Sequence, residues 1–186
     1  PRGSGLPHGL KVLRIDIDPS EFVRLRPEVG ILGDAKAGAR ALLDALSGKL
    51  AKRASRAAEF SAIKSRFRQE IEGVQPQLAY LDAIRAVLPR DGFFVEEISQ
   101  VGFTSRFGFP AYTPRTFVTG GYQDNVGFGF MTALGVKIAN PDKCVVSVAG
   151  DGGFMFGVQE LSTPFQYGIG LVTVVFNTAS YGNARR

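Results

Sequence analysis

Residues 144–178 read CVVSVAGDGGFMFGVQELSTPFQYGIGLVTVVFNT. The stretch opens apolar and β-branched, breaks at Gly150-Asp151-Gly152-Gly153, resumes with helical character over 157–167, and returns to a β-branched run at 171–176 that ends in Asn177-Thr178. Short β-rich apolar runs bounded by glycine are strand signals. Two strands joined through a helix make a right-handed crossover, which leaves them parallel. If strands 144–149 and 171–176 are neighbours, their carboxyl ends lie side by side. Asp151 then stands close to Asn177 and Thr178, although the chain separates them widely.

The same alternation extends upstream. Residues 124–139, DNVGFGFMTALGVKIA, read as a helix despite early glycines. GFFVEEI at 92–98 is a strand candidate, and VQPQLAYLDAIRAVLP at 74–89 repeats Leu78, Leu81, Ile84 and Val87 at three-residue steps before Pro89 stops it. From Ser47 to about Gly73 the chain is charged and alanine-rich, a connecting helix. Further back, LKVLRIDID at 10–18 is a strand stopped by Pro19. VGILGDAKAGARALLDAL at 29–46 gives a second strand, a Gly33-Asp34 break and a helix with Asp34 at its N-cap. Alternating strands and helices predict an α/β fold with a parallel sheet flanked by helices. Two short strands and one helix cannot enclose a core, so the opening reads as the tail of another α/β domain. The expected organisation is a C-terminal part of a central α/β domain at 1–47, a helical linker at 48–75, and a second domain at 76–186 that stops short of its C-terminus.

Composition narrows the function. Of 186 residues, 45% are apolar and 21% charged, which suits a soluble globule. No run of about 18 apolar residues appears, so no membrane partner is expected and a cytoplasmic protein is the default. One cysteine, Cys144, reads as a core residue within a strand. With His8 as the one histidine, no thiolate or imidazole cluster supports zinc. The net charge of +5 is local: residues 49–68 carry seven basic side chains against Glu59 alone. No stacking aromatics accompany them, so a solvated helix is expected and not a nucleic-acid surface.

The chemistry gathers at the glycine-aspartate loop. Asp151 offers an anionic oxygen, Asn177 an amide oxygen and Thr178 a hydroxyl, and magnesium prefers such oxygens and shares them with phosphate. Gly152 and Gly153 permit close backbone approach, and a helix N-terminus after them would present N–H groups to an anion. A structural turn explains the loop alone equally well. A dinucleotide loop fits poorly: Gly150, Gly152 and Gly157 put the third glycine two positions late, and Asn177 stands where a ribose-binding acid belongs.

Three blocks in order resemble the acetolactate synthase-like family of thiamine-diphosphate-dependent enzymes. GDGGFMFGVQELSTPFQYGIGLVTVVFNTASYGNARR is similar to its cofactor motif. PRTFVTGGYQDNVGFGFMTALGVKIANPDKCVVSVAGDGG is similar to its glycine-rich approach, and LKVLRIDIDPSEF with VGILGDAKAGARALLDAL resembles the end of its central domain. The resemblance implies a thiamine-diphosphate-binding fold with magnesium. Asp151, Thr178 and the Ser180 carbonyl would ligate the metal, with Thr178 replacing the usual Asn or Asp. Gly150, Gly152, Gly153, Phe154, Asn177 and Gln100 would surround the diphosphate. Val101 replaces a usual histidine beside Gln100. Val126 would prop the cofactor in its bent shape, and Gly120 and Gly121 would meet the aminopyrimidine. Phe103, Phe107, Phe109 and Tyr112 are assigned to packing. Asp16, Asp18, Gly33 and Asp34 match positions that contact a nucleotide in some members, which leaves FAD open.

The implied reaction is decarboxylation of a 2-keto acid with carboligation favoured, in a homo-oligomer. Simple aldehyde release and a non-catalytic nucleotide- or partner-binding module are the alternatives. The resemblance places the cofactor-activating glutamate on another domain, so no catalytic residue is assigned here. Glu96, Glu97 and Glu160 lack a matching context.

Overall fold

The computed structural model describes residues 9–24 and 26–182. His8 lies outside them. The chain divides after Arg56 into two compact units. In the first, β1 (Leu13–Asp16) pairs in parallel with β2 (Val29–Leu32), Leu13 opposite Val29, with the short α1 (Glu21–Arg24) between them. Helix α2 (Ala35–Leu46) follows. Asp34 caps it by accepting the Ala37 N–H at 2.9 Å, since the first turn of a helix leaves donors without intrahelical partners.

The second unit begins with α3 (Ala57–Glu70) and α4 (Gln77–Val87). Its core is a four-stranded sheet of β3 (Phe93–Glu96), β4 (Phe117–Val118), β5 (Val145–Gly150) and β6 (Val172–Phe176) in the order β4-β3-β5-β6. Every pairing is parallel. Helices α5 (Gln100–Gly108), α6 (Phe128–Ala139), α7 (Asp151–Phe154) and α8 (Ser162–Tyr167) complete it.

Side chains alternate across the strands, so each face of the sheet needs its own cover. On one face Phe94, Val101, Phe109, Val148, Leu81 and Leu88 form the larger core, with α4 and α5 supplying the covering residues. Phe94 is fully buried, its ring stacked 4.0 Å from Phe109 and 5.7 Å from Phe117 between centroids. On the other face Val95 and Val145 meet Ala133 of α6, with Phe128 and Val136 beside them.

Several elements differ from the sequence reading. The connecting helix occupies only α3, which buries no residue; 47–56 are exposed and neither helical nor extended. Gly48 at φ +73° breaks the chain there, and α3 is tied to α4 through the Arg68–Asp82 ion pair. Helix α6 starts at Phe128, because Gly127 sits at φ +90° and a single 3-10 turn (Gly121–Gln123) occupies the preceding loop. The expected helix at 157–167 is split into a 3-10 turn (Val158–Leu161) and α8, which puts Pro164 in the first helical turn where proline is tolerated. Cys144 is exposed: it precedes β5, and its carbonyl accepts the Phe93 N–H at 2.8 Å. Among the described residues no helix is long and apolar enough to cross a membrane.

Candidate functional site

Gly150 pairs with Phe176, so β5 and β6 end level and release Asp151 and Asn177 at the same height. A cavity of about 340 Å³ opens there, within the range of small-molecule sites. Gly150, Asp151, Gly152 and Gly153 form its floor. Ser99, Gln100 and Val101 line one side, Val126 another, and Thr178, Ser180 and Tyr181 close it. This is the carboxyl edge of a parallel sheet, where open α/β folds bind ligands.

Bare backbone at 152 and 153 is a packing requirement. A methyl on Gly152 would come 2.5 Å from Cε1 of Tyr181, and one on Gly153 would overlap the Glu97 carboxylate. Tyr181 and Glu97 thus exclude side chains at these two positions of the floor. Helix α7 begins at Asp151 itself and is a single turn, so the helix N-terminus expected after the glycines to face an anion is reduced to this one turn.

Asp151 Oδ1 accepts the Thr178 N–H at 3.4 Å, and the Thr178 hydroxyl donates to the Ser180 carbonyl at 3.1 Å. Adjacent oxygens around an octahedral ion with 2.0–2.1 Å bonds lie about 3.0 Å apart. The Thr178 and Ser180 oxygens thus already stand at a spacing that suits two neighbouring ligands. Among the described residues no group of three or more His, Cys, Asp or Glu is assembled anywhere. One carboxylate among neutral oxygens suits magnesium with a phosphate and is wrong for zinc. The donor set, the bare floor and the cavity fit a magnesium-bound diphosphate.

Not every expected residue reaches the cavity. Asn177 turns its Oδ1 onto the Ala179 N–H at 2.8 Å, in a loop where Ala179 adopts φ +51°, and it does not line the space. The Phe154 ring packs on Phe130 at 5.3 Å between centroids. Gly120 and Gly121 lie in the loop before α6, away from the lining. Val101 is buried and belongs both to the core and to the cavity wall. Of the aromatics assigned to packing, Phe109 is buried, while Phe103, Phe107 and Tyr112 are exposed. In the first unit, Asp16 is engaged by Arg14 at 2.9 Å and by the Asp18 N–H, Asp18 by Ser20, and Asp34 by its helix.

The structure also brings in residues that motif reading passed over. Ser99 caps α5 by accepting the Gly102 N–H at 3.0 Å, and a serine three residues ahead of Gly102 at a strand end is a legible N-cap signal. Tyr181 packs over Gly152. Two adjacent glutamates are fully buried. Glu97 accepts the Gly127 N–H at 2.6 Å and the Gly129 N–H at 3.0 Å. Burial pushes its carboxyl above the usual range, and the two N–H groups pull it back. Glu96 Oε1 accepts from Arg106 at 2.9 Å and from the Thr119 hydroxyl, and Arg106 also bonds Asp124. Burial raises Glu96 as well, against the opposing pull of Thr119 and Arg106.

Residues 97–186 match the family described as thiamine pyrophosphate enzyme, C-terminal TPP binding domain. Across 97% of its length the chain is 32% identical to a probable 2-ketoarginine decarboxylase of Pseudomonas aeruginosa. It is 30% identical over 92% of its length to a probable acetolactate synthase large subunit of Methanococcus aeolicus. Against the acetolactate synthase large subunit of Haemophilus influenzae it is 29% identical over 95%. It covers 33%, 32% and 32% of these relatives, so it spans about a third of their length. The matched segment holds both halves of the cavity, from Ile98 through Asp151 to Gly182. The chain therefore belongs to the thiamine-diphosphate-dependent enzymes of the acetolactate synthase-like family.

Proposed function

We propose that this chain supplies the diphosphate-and-magnesium half of the active site of a thiamine-diphosphate-dependent enzyme that decarboxylates a 2-keto acid. The observation that carries this reading is the cavity at the β5–β6 edge, where Asp151, Thr178, Ser180 and the bare backbone of Gly152 and Gly153 share one space. When bound, the cofactor supplies the electron sink for decarboxylation; the protein's work is to hold and orient it. Asp151 would contribute the one formal negative charge to the metal, with Thr178 Oγ1 and the Ser180 carbonyl as neutral partners. Gln100 and the backbone of the floor would hold the diphosphate. Val126, on the flank, would help to orient the cofactor. The activating glutamate is assigned to another part of the gene product, and the assembly to a homo-oligomer.

The test is a calorimetric titration of the complete gene product with thiamine diphosphate, with and without magnesium, beside NADH. Magnesium-dependent binding that ignores NADH is expected, and Asp151→Ala abolishes it. Unchanged affinity in that variant would overturn the assignment. Carboligation is the favoured outcome of the parent reaction. The similarity to a probable 2-ketoarginine decarboxylase supports a second reading, simple release of the decarboxylated aldehyde. Product analysis after carbon dioxide release from pyruvate and from longer 2-keto acids separates the two.

A further inference from the structure

Three segments bound the cavity, and one residue touches all of them, two through its carboxylate and one through its main chain. Glu97 follows β3 directly and is 1% exposed. Its backbone N–H donates to the Val148 carbonyl at 3.1 Å, and its own carbonyl accepts the Ser99 hydroxyl at 3.2 Å. That holds the wall carrying Ser99, Gln100 and Val101. Its carboxylate accepts the Gly127 and Gly129 N–H groups at 2.6 and 3.0 Å, which fixes the residue after Val126 and the start of α6. The same carboxylate fills the space over Gly153, where any side chain would collide with it, and a side chain on Gly129 would come 2.8 Å from Oε2.

We propose that Glu97 is a positioning residue for the cofactor: its carboxylate sets the distance between the Gly150–Gly153 floor and the Val126 flank, while its main chain holds the wall that carries Gln100. The proposal rests on the function given above. Its chemistry is specific. Two N–H donors converge on one group, so that group must be acceptor-only at both oxygens, which an ionised carboxylate is and an amide is not. Helix α6 also directs its positive end at the carboxylate. In Glu97→Gln the NH2 faces a backbone N–H, and either Gly127 or Gly129 must move, taking Val126 with it. A shorter acid at 97 retracts from Gly153 and leaves room there for a methyl group.

The complete gene product is titrated with thiamine diphosphate at saturating magnesium, as wild type, Glu97→Gln, Glu97→Asp, Gly153→Ala and the Glu97→Asp/Gly153→Ala double variant. The melting temperature of each cofactor-free protein is recorded beside its Kd. Groups that orient ligands from behind are worth roughly 10- to 100-fold in affinity, so Glu97→Gln and Gly153→Ala are each expected to weaken binding by about tenfold or more. The double variant is expected to bind more tightly than Gly153→Ala alone, because the shorter acid yields the space that the methyl needs. A Glu97→Gln protein that binds the cofactor as wild type does, even with a lowered melting temperature, would show that the residue serves the fold only and would overturn the proposal. If Glu97→Gln does not fold, the double variant decides: affinity no better than that of Gly153→Ala overturns it. Absence of binding in the wild type is a different failure, that of the function itself.

Discussion

Arg106 donates to Glu96 and Asp124 together, while Thr119 donates to the same Glu96 oxygen. The other oxygen, Glu96 Oε2, is buried with no hydrogen-bond partner among the described residues. Burial lifts Glu96 above the ordinary glutamate value. Such a group contributes stability that is intact below its unfolded-state pKa and lost as pH rises through the folded one. Arg106 limits that loss by favouring the charged form. Arg106→Met is therefore expected to raise Glu96 further and to leave a buried charge unpaired, costing about 3 kcal/mol near neutral pH. The cost shrinks as the pH falls and Glu96 becomes increasingly neutral. Melting temperatures of variant and wild type from neutral pH downward check the sign. A gap that widens toward acid would refute it.

At the scale of elements, the cavity depends on how strands end. Ser99 stops β3 from running on and starts α5, with its hydroxyl accepting one N–H of the first turn and donating to the Glu97 carbonyl. Ser99→Ala is expected to cost about 1 kcal/mol in urea unfolding, the usual magnitude for a lost cap. Helix α5 was not legible in advance. Its buried residues are Val101, Gly102, Thr104, Ser105 and Gly108, mostly small or polar, so the apolar stripe that announces a helix is missing. Contact with the sheet and with Phe94 and Phe109 overrides its weak propensity. The two-residue β4 was too short for any pattern to reveal. By contrast β5 and β6 were legible as continuous β-branched runs: β5, between β3 and β6, is mostly buried as central parallel strands are, while β6 stands at the edge of the described sheet and is part-exposed.

At the scale of the whole molecule, the division after Arg56 falls in an exposed stretch without regular structure. Residues 47–56 hold Lys49, Lys52, Arg53 and Arg56. Limited trypsin treatment is expected to cut there first and release a resistant fragment that begins near Ala57. Early cleavage inside α6 or β5 instead would mean that the second unit is not compact by itself. The division falls inside the expected linker at 48–75, a stretch that charge and alanine content mark by composition alone. The Arg68–Asp82 ion pair, which ties α3 to α4 within the second unit, is a contact that composition does not contain.

What the sequence determined by itself was the order of chemistry along the chain: a strand, a glycine-aspartate break, a crossover, and a second strand ending in polar oxygens. Handedness and parallel pairing then bring Asp151 beside Thr178, since those rules act on short-range pattern. Only the tertiary structure decided which polar groups face the cavity. Asn177 turns onto its own loop, Phe154 onto Phe130, and Ser180 toward Thr178, and these choices follow from backbone turns that residue identity leaves free. Glu97 shows the same limit most sharply. In the sequence it is one of two adjacent acids with no motif around it. In the fold its carboxylate binds residues 30 and 32 positions away and excludes a side chain at Gly153, because burial leaves a carboxylate no choice but to find donors within the protein.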